Sequence, residues 1–338
     1  GAKALASVGA SSSVQFLVLG FCMGCCTGFG VPVAKYFGAE KMDTMRNYVF
    51  NGAVLTGGIG VTVTILCSVC CPQILHLLSV PEDIFRGAYH YLLIIFLGIP
   101  FTLLYNYLSS ILRSLGDSRT PFLFLAFSAI LNIFLDLFCI VVLKWGCAGA
   151  AAATITAQAI SGILCLVFIG RKMNVLHLTK ENRMVNITAV KELLAMGLPT
   201  GLQFSITAIG VIVVQGAINV YGETYMAGFS AAGKLQNIFT TVFVAFGATI
   251  ATYVGQNRGA GKMDRVKQGV RCTQMMIFAY SIFAMVILYF FGKNMTLLFI
   301  DSSETKVLDV AQTYFHTVFW CYPFLGSIFL YRNALQGL

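Results

Sequence analysis

A chemical reading of this sequence starts at Asp136. It lies in Leu131-Asn132-Ile133-Phe134-Leu135-Asp136-Leu137, inside an apolar run from Pro121 to Leu143 with no other charged residue. Of the chain's 13 acidic residues, it is the one set deep in such a run. A carboxylate held at the centre of a bilayer costs about 2.5–3.5 kcal/mol on insertion scales. A helix that carries this cost has a use for the charge, or a structural partner that neutralises it. Asn132 stands four residues earlier and shares a helical face with Asp136. The pair reads as the core of an ion-coupling site.

A second set of oxygens follows from the turn after this helix. Lys144-Trp145-Gly146 marks a tight reversal on the outer side, with Trp145 as an interfacial anchor. Asp136 precedes Trp145 by nine residues and Thr154 follows it by nine, so an antiparallel pair sets both about 10–14 Å below the turn by helical rise. Amide, carboxylate and hydroxyl oxygens from Asn132, Asp136 and Thr154 would then face one small cation. Hard oxygen donors suit Na⁺, and a desolvated carboxylate suits H⁺ equally well. Gln158, one turn beyond Thr154, extends the polar face. Lys234, inside a later apolar run, snorkels to the outer surface, faces a central cavity or pairs with an acid.

The elements that must hold these residues are membrane helices. Of 338 residues, 58% are hydrophobic and only 10% charged, far below the quarter typical of soluble chains. Nine runs are long enough to span about 30 Å of hydrocarbon: 12–34, 48–71, 88–111, 120–143, 147–169, 197–220, 226–252, 270–291 and 310–331. Connecting segments 35–47, 112–119, 170–196 and 253–271 hold fifteen Lys and Arg, against four in the others. That bias puts the first set in the cytoplasm, so the net charge of +9 reports orientation and not nucleic-acid binding. The apolar run after Lys3 is too long for a signal peptide.

An internal repeat organises the chain. Val33-Ala34-Lys35-Tyr36-Phe37-Gly38-Ala39-Glu40-Lys41-Met42-Asp43 matches Val254-Gly255-Gln256-Asn257-Arg258-Gly259-Ala260-Gly261-Lys262-Met263-Asp264 at six of eleven positions with an offset of 221, and Pro100-Phe101 matches Pro323-Phe324 at 223. Six spans separate matching points, so the two halves face the same way. The expected fold is all-α, in two pseudo-symmetric bundles: an amino-terminal lobe over 1–170, a cytoplasmic linker over 171–196 and a carboxy-terminal lobe over 197–338. The register also suggests a twelve-helix plan, with one helix missing before residue 1 and two after residue 338.

Other motifs are bland. Cys22-x-x-Cys25-Cys26 and Cys67-x-x-Cys70-Cys71 lie in or at the ends of apolar segments without a histidine at ligand spacing, so the thiols read as packing and not as a metal site. The four histidines, His76, His90, His177 and His316, form no motif. Arg332 reads as an interfacial anchor. Gly20, Gly24 and Gly28, and the run Ala148-Gly149-Ala150-Ala151-Ala152-Ala153, are small-residue surfaces for close helix packing. A membrane-embedded enzyme would need paired acids, a metal motif or a Ser/His arrangement at depth, and one Asp supplies none.

Together, Leu112-Arg113-Ser114-Leu115-Gly116-Asp117-Ser118-Arg119-Thr120-Pro121, Asn132-x-x-x-Asp136, the stretch Gly146 to Gln158 and Gly255-Gln256-Asn257-Arg258-Gly259-Ala260-Gly261 resemble the multidrug and toxic compound extrusion (MATE) family over essentially the whole chain. The resemblance implies a twelve-helix, two-lobed antiporter of the plasma membrane. It would act as a monomer without cofactor, exporting organic cations and other amphipathic compounds in exchange for Na⁺ or H⁺. In the branch it resembles, the amino-terminal site combines an Asp from the first helix with residues matching Asn132, Asp136 and Thr154. That first-helix Asp would fall outside this chain. Runs 197–220 and 310–331 carry no acid, Gln203 being the nearest polar substitute, which points to coupling through the amino-terminal lobe. A flippase for lipid-linked sugars would share the two-lobed plan, but it would favour a cleft lined with several arginines, which these helices lack.

Overall fold

Within hydrocarbon, a chain segment must satisfy its own backbone polar groups, and a long apolar run does so as a helix. The computed structural model describes residues 2–78 and 80–338, with the side chains of 2–6, 9, 10 and 219 left aside. Among the described residues there are twelve α-helices and no strand: α1 (Ala2–Gly38), α2 (Met42–Val69), α3 (Cys71–Leu77), α4 (Glu82–Leu97), α5 (Ile99–Ser114), α6 (Arg119–Leu137), α7 (Gly146–Lys172), α8 (Ile187–Asn219), α9 (Glu223–Gly259), α10 (Met263–Thr296), α11 (Thr305–Val318) and α12 (Tyr322–Gly337). Seven are long and apolar enough to cross a membrane, and α4 with α5 makes an eighth crossing bent by 44°. Across the short 3₁₀ turn Phe319–Cys321, α11 and α12 cover the ninth predicted run.

Two differences from the sequence reading have clear causes. The runs at 88–111 and 310–331 are broken helices. Pro100 and Pro323, matched by the repeat, each sit in the first turn of the second half-helix. Proline has no N–H to give the preceding turn, so the helix restarts there. Several helices also outrun their apolar stretches, so that Lys191, Arg258, Arg265, Lys267 and Arg271 sit on helix ends and not in loops. Apolarity marks the hydrocarbon boundary, whereas the helix continues until its caps.

The chain forms two compact units, Gly1–Ala208 and Ile209–Leu338. Charge draws the linker's end at 196, while packing draws the division inside α8. Glycines on the first unit's α1 and α8 explain this. A Cβ on Gly24 would lie 2.7 Å from Gly201 Cα, and one on Gly28 would lie 2.7 Å from Gly197 Cα. Two stripes of glycine at four-residue spacing thus let the backbones touch. The segment before α8 is tied to α2: Asn47 Nδ2 donates to the Met184 carbonyl at 2.8 Å, and Asn51 Oδ1 accepts from Asn186 N–H at 3.0 Å. Asn186 in turn caps α8, its Oδ1 accepting from Thr188 N–H at 2.9 Å. Glu192 then takes Lys35 Nζ at 2.8 Å and the Tyr48 hydroxyl at 2.5 Å.

In the first unit's core, Cys22, Cys25, Cys26 and Cys71 pack with Phe29, Phe96 and Ile111, and every described cysteine is a free thiol. The second unit buries Leu235, Phe243, Ile277, Leu288, Phe315 and Leu330. The repeat survives as a pattern of contacts within each unit. Ser114 Oγ donates to Gly30 O at 2.8 Å, and a Cβ on Gly30 would meet that hydroxyl. Their counterparts are Ala251 and Gly337, where a Cβ on Gly337 would stand 2.7 Å from Ala251 O. Likewise Gly87 faces Ser7, and Gly228, the counterpart of Ser7, faces Val310. The small residue changes sides, but the crossing is kept.

Replacing Gly28 by leucine forces α1 from α8. Overpacking of this kind costs about 1–3 kcal/mol, and backbone on the facing side leaves nothing to rearrange. The full-length variant is expected to lose several degrees of thermal stability in detergent; Gly57→Leu, where nothing lies within 4 Å of the added Cβ, is expected to match the parent protein.

Candidate cation-coupling site

The site is built on the hairpin α6–α7. Gly116, at φ +92°, turns the chain out of α5, and Asp117 Oδ1 then accepts from the N–H groups of Arg119 and Thr120 at 3.1 and 3.0 Å to start α6. From there α6 runs without interruption past Asn132 and Asp136. Directly after it comes a π-helical turn, Phe138–Val142, and Leu143 N–H bonds the Phe138 carbonyl at 3.0 Å. Such widened turns recur at functional sites. The reversal itself uses two left-handed residues, Lys144 and Gly146, around an exposed Trp145.

Hydroxyl groups lock the two helices together. Ser128 Oγ donates to Ala157 O at 2.9 Å, and Ser161 Oγ reaches Phe124 O at 3.4 Å. These bonds fix the register. One turn outward from the Ser128–Ala157 pair, Asn132 stands level with Ala153 and Thr154. A further turn out, Asp136 is level with Gly149 and Ala150, and Cys139 packs against Gly149. Asp136 is therefore about one turn shallower, relative to Thr154, than equal residue counts from Trp145 predict. The reversal lies earlier than Trp145: Trp145 N–H already bonds back to the Cys139 carbonyl at 3.0 Å, so equal counts from Trp145 do not mark equal depth.

Asn132, Asp136, Thr154 and Gln158 are all half-buried. Asn132 Nδ2, Asp136 Oδ1 and Gln158 Oε1 are fully screened atoms without a hydrogen-bond partner. Thr154 Oγ1 donates to Ala150 O at 2.9 Å, which spends its proton on the backbone and leaves its lone pairs to accept. Asp136, Thr154 and Gln158 thus offer oxygen acceptors, and Asn132 an unpartnered amide nitrogen, spread over two to three turns of the hairpin. Unpaired buried polar atoms are costly unless something meets them. A small cation at Asp136 would meet the carboxylate first, with the Asn132 amide oxygen within one turn.

Two further polar residues that sequence reasoning missed, Gln15 and Tyr91, bridge α1 and α4 of the same unit. Tyr91, on α4, belongs to a buried cluster with Ala151 of α7, against which Ala150 and, from α1, Val8 and Leu19 pack. The Tyr91 hydroxyl donates to Gln15 Oε1 on α1 at 3.1 Å. The repeat carried a signal for both: Gln236 stands 221 residues after Gln15 and Tyr314 stands 223 after Tyr91, and the Tyr314 hydroxyl donates to Gln236 Oε1 in the second unit.

The remaining candidates lie elsewhere. Gln203 is half-buried on α8. Lys234 belongs to the second unit, is exposed, and holds its ammonium 5.7 Å from the Phe299 ring centre, the geometry of a snorkelling side chain. Arg332 lies 4.7 Å over Phe329. Among the described residues, no cluster of three His, Cys, Asp or Glu side chains could hold a metal ion.

A helical, multi-pass chain with an internal repeat and polar groups gathered at membrane depth is a membrane transporter. The MatE family profile matches residues 1–138 and 199–338, and the chain belongs to that family. It is 31% identical over 337 residues to the probable multidrug resistance protein YpnP of Bacillus subtilis, covering all of this chain and 75% of that one. It is 22% identical to an FAD transporter of Shewanella oneidensis, again over all of this chain and 75% of the other. Among solved structures, the outward-facing form of a multidrug resistance MATE transporter superposes with a TM-score of 0.92 at 20% identity, covering 100% of this chain and 76% of that one. The protein is accordingly a multi-pass plasma-membrane transporter of the multidrug-efflux class and not an enzyme.

Ser128→Ala removes the best-formed bond across the hairpin. It is expected to lower stability by about 1 kcal/mol, read as a fall in thermal midpoint, with Thr156→Ala on the exposed face of α7 as the neutral comparison.

Proposed function

We propose that this protein exports small amphipathic compounds, organic cations foremost, in exchange for Na⁺ or H⁺ bound at Asp136. The observation that carries the reading is the buried, unpartnered carboxyl oxygen of Asp136, with unpartnered amide atoms of Asn132 and Gln158 on the same hairpin. The name of the Bacillus relative supports drug-like cargo.

In this reading Asp136 holds the ion, Asn132 supplies a neutral oxygen, and Thr154 and Gln158 extend the path one to two turns deeper. An ion can shift a conformational equilibrium only by its difference in affinity for the two states. Asp136 provides that difference: with its charge met, the hairpin 119–172 sits comfortably in an apolar bundle, and without the ion the bare carboxylate favours an arrangement open to water. Substrate favours the second state, so export and ion entry alternate. The first unit alone performs the coupling, and the transporter works as a monomer.

Full-length protein in liposomes, loaded with a fluorescent organic cation, tests this. Collapsing the Na⁺ and the proton gradients separately is expected to stop efflux in one case and spare it in the other. Asp136→Asn is expected to reduce gradient-driven efflux by about a hundredfold while inserting normally, and Asn132→Leu to raise the cation concentration for half-maximal efflux about tenfold. Undiminished efflux by Asp136→Asn would refute the coupling role.

A further inference from the structure

Within the first unit, the cytoplasmic end of α8 is held by a trap for one carboxylate. Glu192 Oε1 accepts from Lys35 Nζ of α1 at 2.8 Å. Glu192 Oε2 accepts from the Tyr48 hydroxyl of α2 at 2.5 Å and from the Tyr36 hydroxyl of α1 at 3.3 Å. Three donors from two helices thus converge on one group, and the two tyrosine rings pack together with their centres 4.6 Å apart. Closer to the start of α8, Asn51 Oδ1 adds its bond to Asn186 N–H. The Lys35 and Glu192 side chains are 34% and 25% exposed, so water reaches the pair and can take over its bonds. Such a contact holds a helix end firmly and still comes apart.

We propose that this trap is the latch of the cytoplasmic gate: Glu192 holds α8 against α1 and α2 while the inner side is shut, and its bonds to Lys35, Tyr36 and Tyr48 are released when that side opens. The latch goes beyond the export reading and does not depend on Asp136. Its first support is a mismatch between register and packing. The repeat assigns α8 to the second half of the chain, its apolar run at 197–220 answering to a stretch before residue 1. By packing, however, α8 lies in the first unit as far as Ala208. In a transporter built from two repeats, contacts between the halves at one membrane face part once in each cycle. The helices are also softened beside the latch. Pro32 lies inside α1 and Pro199 inside α8, and each lacks the N–H that would bond the carbonyl four residues back, on Gly28 and Ala195. Both helices bend most readily at those points.

The second half supplies an internal comparison. At the offset of 221, Gln256, Asn257 and Gly269 stand where Lys35, Tyr36 and Tyr48 do. A Cβ on Gly269 would run into the Tyr253 ring, so that position takes no phenol. Helices α9 and α10 therefore follow the course of α1 and α2 without an ammonium group or tyrosine hydroxyls at these places. The fold does not require the trap. It is an addition made where the first half receives the cytoplasmic end of α8.

The test closes the latch covalently in full-length protein in liposomes. A water-soluble carbodiimide activates the Glu192 carboxyl, the Lys35 amine displaces the reagent as its urea, and an amide then joins the two helices. Peptide mass spectrometry gives the fraction joined. Efflux of a fluorescent organic cation is expected to fall in proportion to that fraction. Lys35→Arg keeps the charge but forms no amide, and it is expected to export equally with and without the treatment, which excludes damage at other carboxyls. Full efflux by joined protein would overturn the proposal, because a fixture of the fold can be tied without effect. Glu192→Gln provides the converse. Its amide exchange over 187–196 is expected to rise about three- to tenfold, the scale of one charge-assisted bond at a partly exposed site, with 201–208, beyond Pro199, unchanged. An equal rise through 208 is a general loss of packing and counts against a latch, as does no rise at all. The outcomes also separate the claims. If the parent protein does not export the organic cation, the cargo reading fails and the exchange result decides the latch. If Asp136→Asn keeps gradient-driven efflux while joined protein has none, the coupling reading fails and the latch stands.

Discussion

The structure turns on the cost of holding a carboxyl group among hydrocarbon side chains. A helix such as α6 would be more stable with leucine at 136, and among the described residues no ion pair meets the charge: the hairpin's basic residues are Arg119, Arg171 and Lys172 at its open end and Lys144 in its turn. What the hairpin does offer is neutral polar side chains, Asn132, Thr154 and Gln158. A salt bridge would fix the carboxyl permanently. In the reading proposed above, oxygen donors leave it dependent on a mobile ion, and such a group can report the ion's presence to the rest of the bundle.

The packing around the hairpin is arranged to keep that group at depth. Serines at 128 and 161 set the register of α6 against α7, and a reversal that is complete by Trp145 puts Asp136 level with Gly149 and Ala150. The glycine stripes on α1 and α8 do comparable work for the rest of the first unit. In the absence of a hydrophobic driving force between helices in lipid, such close approach and interhelical hydrogen bonding supply the association energy. The repeat shows how tolerant this is: the glycine at each crossing changes sides between units, while the crossing itself stays.

Much of this could be read in the sequence. Apolar runs, charge bias and the offset of 221 define the helical class, the orientation and the repeat, because each reflects the bilayer directly. Asp136 and Asn132 were legible because a polar residue in hydrocarbon is conspicuous. Three features were not. The breaks at Gly98 and before Tyr322 follow from prolines that a span count ignores. The exact point of reversal has no compositional mark, and Trp145 lies beyond it, so the depth of Thr154 relative to Asp136 came out one turn off. Tyr91 escaped because tyrosine is ordinary in an apolar run, and its polarity matters only once α1, α4 and α7 are brought together. Comparing the two halves position by position would have exposed Gln15 and Tyr91, since like residues recur at the matching places.

The most direct test of the central claim is ion binding itself, free of transport. Purified full-length protein in detergent would be equilibrated with radioactive Na⁺ across a range of pH, with proton uptake or release followed by electrode in the same samples. The account predicts saturable Na⁺ binding, or a titratable proton exchange in its place, that vanishes in Asp136→Asn while the fold and thermal midpoint are retained. Binding of the same stoichiometry and affinity in Asp136→Asn would contradict it.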